Sequence, residues 1–288
     1  MQLTVITDSC SDLPLSYVKE NKIDVLPIMV NIQGREVPDD LGESMSHKEF
    51  YEIVRNGEMP STSLINVQSF VDVFKKKTED GYAVLYLGFS SPLSGTLNSA
   101  LIARDIVTDE MKNADITVID TKCASLGQGL IVYYVNEMLK NGATKDEIVK
   151  WVQDNNLKVN HWITVDDLGH LKRGGRLSGA SAVIGSLLNI KPILQITDEG
   201  KLVPSDKVKG RKKSIKYLVD NLKDKIVDSE EQIIFISHGD CLEDVEKLTD
   251  AIQKEVKVKG FFVNTIGPGV GSHVGPGTLA VFYIGKSR

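Results

Sequence analysis

The chain reads GPGVGSHVGPG from Gly267 to Gly277, five glycines and two prolines around a single imidazole, His273. Glycines reach φ > 0 and let other groups pack on bare backbone, so such a run can hold His273 as a directional hydrogen-bonding group. It is not a nucleotide motif. The chain has no G-x-x-x-x-G-K-[ST] string, and the run reads as a loop leading into the strand-like LAVFYIG rather than opening a helix. A second candidate is SSPLSGT, residues 90–96. There Gly95 allows close approach, while Ser94 and Thr96 offer hydroxyl and N–H groups at a helix N-terminus. That combination seats an anionic oxygen, and plain helix capping would use the same residue types. PSTS (60–63) stands just before another predicted helix.

Charge offers two further candidates. GHLKRGGRLSG (169–179) gathers Lys172, Arg173 and Arg176 around two glycines, and VKGRKK (208–213) is a second basic run before a helix. Each reads as a solvated turn or as a patch for phosphate or an acidic partner. His238-Gly239-Asp240-Cys241 suggests a thiol–imidazole pair, which needs a third orienting group that sequence proximity does not supply. The five histidines form no H-x-H or H-E-x-x-H pattern, and Asp8, Asp39 and Asp40 have no accompanying phosphate cradle. No metal is expected.

These residues need elements to place them. LTVIT (3–7), YAVLYLGF (82–89) and ITVID (116–120) are continuous apolar runs followed by polar turns and helices, the grammar of a parallel sheet covered on both faces. DVLPIMVNI (24–32) reads as one further strand, irregular at Pro27. Ser46–Glu49 and Thr144–Glu147 are capping boxes that open helices. Candidate sites after the first and third strands fall outside strand carboxyl ends, where open parallel sheets bind ligands. Beyond Asn160 the pattern changes. Strands come both with and without helical crossovers, so a second, mixed sheet is expected, with ASAVIGSLLNI (180–190) as an apolar helix. The expected architecture is α/β: a Rossmann-like parallel-sheet domain over residues 1–158 and an α/β domain with a mixed sheet over 159–288.

The composition excludes several classes. Net charge is −5, from 34 basic and 39 acidic residues, which disfavours a nucleic-acid surface. No run approaches the ~18 apolar residues of a spanning helix, which leaves only transient contact with a membrane surface. Three cysteines in no C-x-x-C pair read as reduced thiols, and the N-terminus shows no signal segment, so a cytoplasmic protein is expected.

Taken together, TDSCSDLP, the TS pair at 62–63, SSPLSGT, KRGGRLS and the closing GSHVGPG resemble the DegV family, over essentially the whole chain and in family order. The resemblance implies two α/β domains enclosing a long-chain fatty acid such as palmitate in a tunnel between them. It implies no cofactor and no catalytic residue of its own. It also implies a partner, an ATP-dependent fatty acid kinase to which the bound carboxylate is presented for acyl phosphate formation. Thr62 and Ser94 match the family hydroxyls that contact the carboxylate, and His273 matches the histidine beside them. Arg176 matches an arginine implicated in kinase contact. Lys209 stands where better-known members carry arginine, keeping the charge without the bidentate fork. PSTSLINV lacks the Gln-Pro that often follows the TS pair. A rival from another class is an acyl hydrolase or transferase using Ser94 and His273, although G-x-S-x-G is absent. An interaction module without a lipid is a third.

Overall fold

The computed structural model describes residues 1–178 and 189–288. In chain order the first half contains β1 (Gln2–Asp8), α1 (Leu15–Asn21), β2 (Asp24–Leu26), β3 (Met29–Ile32), β4 (Arg35–Pro38), α2 (His47–Arg55), β5 (Ser61–Ser63) and α3 (Val67–Glu79). It continues with β6 (Tyr82–Gly88), α4 (Thr96–Glu110), β7 (Ile116–Asp120), α5 (Leu126–Lys140) and α6 (Lys145–Asn155). Then follow β8 (Val159–Thr164), α7 (Gly169–Gly174), β9 (Ile190–Ile196), β10 (Leu202–Lys209), α8 (Arg211–Lys225) and β11 (Ile233–His238). The last elements are α9 (Leu242–Glu255), β12 (Gly260–Thr265), α10 (Pro268–Val274) and β13 (Leu279–Ile284).

β6 shows why the apolar runs become central strands. Side chains alternate faces, so Val84 and Tyr86 join Phe70, Phe74 and Ala100 of α3 and α4, while Leu85 and Leu87 join Leu126 and Leu130 of α5. Both faces are buried, and the four strands form a parallel sheet in the order β2-β1-β6-β7. A separate six-stranded sheet has the order β10-β9-β8-β13-β11-β12; its only parallel pair is β11–β12, so it is mixed, as expected. α5 lies between the two sheets. Leu130 and Ile131 share one core with Leu85 of the parallel sheet and Phe235 and Phe282 of the mixed one. α8 and α9 cover the opposite face of the mixed sheet over Leu218, Leu248 and Ile252. Among the described residues no helix is long and apolar enough to cross a membrane.

Three expectations are corrected. DVLPIMVNI is two strands in two sheets: β2 pairs with β1, whereas β3 joins a three-stranded antiparallel sheet, β4-β3-β5. Pro27 lies between them and has no N–H to continue a ladder. PSTS stands before α3, as expected, and supplies β5, an edge strand of that small sheet. Finally, the glycine-rich run is not a loop throughout, because Pro268–Val274 is helical, with Gly267 as N-cap and proline at the first helical position. KRGG likewise ends a short helix, α7. The expected helix at ASAVIGSLLNI falls almost wholly on residues 179–188, outside the described residues.

Candidate functional site

Asp8, the last residue of β1, decides where the chain leaves β6. Its buried carboxylate accepts hydrogen bonds from Tyr86 Oη (2.7 Å), the Phe89 N–H (3.1 Å), Gln128 Nε2 (3.1 Å) and the Cys10 N–H (3.2 Å). From there the turn Phe89–Gly95 carries Ser94. Ser94 Oγ donates to Thr96 Oγ1 at 3.0 Å, and Thr96 Oγ1 accepts from the Ile65 N–H at 3.3 Å. Thr96 thereby ties the Ser94 turn to the segment following β5, which carries Thr62. Thr62 itself is paired opposite Val30 of β3.

α10 brings the third group. It is a helix with a bare face: a Cβ on Gly271 would stand 2.8 Å from the Phe50 ring and 2.9 Å from Tyr51 Oη. Helices pack this closely only where a side chain is missing. The outcome is that His273 Nε2 lies 2.9 Å from Thr62 Oγ1, a contact across 211 positions of sequence. Its other nitrogen, Nδ1, is buried without a hydrogen-bond partner among the described residues, and a Cβ on Gly174 of α7 would lie 2.4 Å from it. Burial, helped by the positive charge of Arg176, lowers the His273 pKa to about 4. The imidazole is therefore neutral at physiological pH, a hydrogen-bonding group rather than a charge.

Thr62, Ser94, His273 and Arg176 line one internal cavity of about 70 Å³. The rest of its wall is largely apolar, including Ile28, Phe89, Leu93, Ile163, Leu171 and Val270, contributed by both sheets and their loops. Such a cavity can seat an anionic oxygen at one end and hydrocarbon at the other. A larger surface groove of about 710 Å³ runs between α8 and α9, floored by Ile215, Val219 and Ala251 and rimmed by charges of both signs. It gathers no convergent hydroxyl or imidazole groups, so the internal cavity is the candidate site.

The family model for DegV matches residues 2–286. This chain belongs to the DegV family. A DegV domain-containing protein of Clostridium perfringens is 47% identical over 287 residues, covering 100% of this chain and 99% of the relative. Among solved structures, a fatty-acid-binding DegV family protein from Thermus thermophilus superposes with a TM-score of 0.89 at 30% identity, covering 99% of this chain and 100% of that one. A DegV lipid-binding protein from Thermotoga maritima gives 0.88 at 31% identity, covering 100% of both chains.

In this DegV-family chain the two basic candidates lie in different settings. Arg176 lines the cavity, with its guanidinium donating to the Leu93 and Gly174 carbonyls at 3.3 and 2.6 Å. Lys209 is exposed at the end of β10, the edge strand of the mixed sheet. Cys241 does not form a nucleophilic pair with His238. Burial raises its thiol pKa to about 11, and Sγ donates to the Thr278 carbonyl. Sequence reasoning missed Asp12 and Asp39 as parts of this region. Both are buried, at 2% and 1% exposure, and both reach the N-terminus of α10. Nothing in their local sequence marks targets 255 and 230 residues away.

Proposed function

We propose that this chain binds a long-chain fatty acid between two domains, residues 1–158 and 159–288, and presents its carboxylate to a partner fatty acid kinase. The observation that carries this reading is the cavity, which gathers two hydroxyls, a neutral imidazole and a guanidinium against an otherwise apolar wall. The fatty-acid-binding and lipid-binding descriptions of the Thermus and Thermotoga family members support it. In this reading Thr62, Ser94 and His273 seat the carboxylate, and Arg176 offsets its charge. A sixteen-carbon acid buries roughly fourteen methylenes at ~0.8 kcal/mol each, an upper bound of about 11 kcal/mol, whereas each charge-assisted hydrogen bond adds about 1.5–3 kcal/mol. The tail sets affinity and the head contacts set register. A cleft for such a ligand measures about 300–1,000 Å³, so the apolar wall must part as the tail enters.

In this reading the kinase acts on the seated head group. A carboxylate oxygen attacks the γ-phosphorus of ATP held by the kinase, ADP leaves, and the acyl phosphate stays in the cavity. In-line transfer tolerates little misplacement, so the hydroxyls and imidazole act by fixing that oxygen. Lys209, exposed, is the candidate kinase contact. The resemblance gives Arg176 the same role, and its position in the cavity wall gives it a second one. The hydrolase alternative needs an imidazole on Ser94, yet Ser94 Oγ pairs with Thr96 and His273 with Thr62. The test is mass spectrometry of lipid extracted from purified protein, followed by palmitate uptake by delipidated wild type, Thr62→Ala and Ser94→Ala. We expect stoichiometric fatty acid in the wild type and a five- to hundredfold weaker Kd in each variant, the equivalent of about 1–3 kcal/mol. Absence of both extracted lipid and palmitate uptake refutes the reading.

A further inference from the structure

Two buried carboxylates from the first half of the chain converge on the helix that carries His273. Asp12 Oδ1 accepts from the Gly267 N–H at 2.8 Å, and Asp39 Oδ2 accepts from the Gly269 N–H at 2.9 Å. Their convergence is tight, because a Cβ on Gly267 would lie 3.1 Å from both Asp39 oxygens and 3.2 Å from Asp12 Oδ1. Among the described residues Asp39 Oδ1 is buried with no hydrogen-bond partner. Between this pair and the cavity stands Cys10, whose Sγ would be 3.2 Å from a Cβ on Gly269 and which lines the cavity wall. The same helix thus ends on two acids at one terminus and delivers His273 to Thr62 from the other.

We infer that Asp39 is a positioning residue for the head-group site, and that seating an anionic ligand there is coupled to protonation of Asp39. The inference rests on the fatty-acid reading for its ligand. The groups that bear on Asp39 are Ser9, Cys10 and Asp12 from the turn after β1, Asp40 beside it, the Leu41 N–H and Tyr51 of α2. All of these are neutral or negative, and against them stand the N–H groups at the start of α10. Arg176, the cation that bears on Cys10, lies on the cavity side. Burial raises the Asp39 pKa to about 7, despite the Gly269 N–H, the Ser9 hydroxyl and the Leu41 N–H, which oppose it. Asp12 is raised well above the usual carboxylate range by burial. Asp39 is the acid at this helix terminus that titrates near pH 7. Once ionised, it places a second anion behind the Cys10 wall, facing the first. Coupling between sites is reciprocal, so a seated carboxylate raises the proton affinity of Asp39 by the same factor.

The experiment is calorimetric titration of delipidated protein with dodecanoate, which stays monomeric and ionised across the range, at pH 6 and pH 8. Each titration is run in two buffers of different ionisation enthalpy, with wild type and Asp39→Asn. Asparagine keeps an oxygen for the Gly269 N–H and removes the titration. Wild type should bind about five- to tenfold more weakly at pH 8 and take up a fraction of a proton near pH 7, whereas Asp39→Asn should do neither. Thermal unfolding without ligand provides a second readout: between pH 5 and 8 the wild type should lose stability relative to Asp39→Asn. Identical unfolding profiles, or a bound acid indifferent to pH in the wild type, overturn the coupling alone. Wild-type protein that binds no dodecanoate at either pH overturns the fatty-acid reading and the coupling with it.

Discussion

His273 stays neutral well into the acid range, and this has a consequence for stability. Its folded pKa of about 4 lies below the ordinary histidine value of 6.5. As pH falls, the unfolded chain takes up this proton first. Stability is therefore fully present above pH 6.5 and is lost as pH falls towards 4. His273→Gln keeps a hydrogen-bonding end for Thr62 but does not titrate. Urea unfolding at pH 7 and 4.5 should show the variant losing about 2 kcal/mol less than wild type over that interval. An equal acid loss in both proteins would place the proton elsewhere. His161 is shifted in the same direction by burial, then by Arg288, so the wild-type acid limb contains more than one histidine.

Among the elements, α10 departs furthest from what its composition suggests. Glycine costs about 1 kcal/mol relative to alanine in a helix interior, so on propensity alone Gly271→Ala should stabilise it. Packing reverses the sign, because the new methyl would meet the Phe50 ring at 2.8 Å and Tyr51 Oη at 2.9 Å. The expected net effect is a destabilisation of about 1–3 kcal/mol, measurable as a lowered urea midpoint at constant m. The same conflict explains why the run is unreadable as a helix from sequence. Its low propensity is overcome by contacts with α2, α7 and the small sheet, none of them local. By contrast β6 is legible because burial on both faces leaves one unbroken apolar signal. Pro27 marks an irregularity but not its result, since the sheet that receives β3 depends on β4 and β5. Ser94, Thr96 and His273 stand out by residue type beside glycines and Thr62 by the family pattern, whereas the roles of Asp12 and Asp39 leave no local trace because their partners lie far along the chain.

At the scale of the whole molecule, several contacts join the two sheets, and they are not of equal weight. Arg55 of α2 pairs with Asp240 after β11, yet the side chains are 44% and 40% exposed, so Arg55→Ala should cost under about 1 kcal/mol. Arg288 is different. Its guanidinium donates to the carbonyls of Val159 (2.9 Å), Thr197 (2.7 Å) and Asn156 (2.9 Å) and to Cys123 Sγ (3.1 Å). Arg288→Ala strands those acceptors and should cost about 2–4 kcal/mol, seen as a larger drop in Tm than Arg55→Ala gives. Equal effects would mean that water replaces the guanidinium freely.

The contact between Thr62 and His273 also has a bearing on time. Chain segments separated by 211 positions meet late, because loop closure must be met before distant pairings reward it. If the proposed seat is the binding site, a nascent polypeptide that has not yet extruded α10 lacks it, whatever else has folded. In the proposed reading, loading with acid is therefore a post-translational event. A pulse of labelled palmitate should mark only completed chains, leaving ribosome-bound intermediates dark.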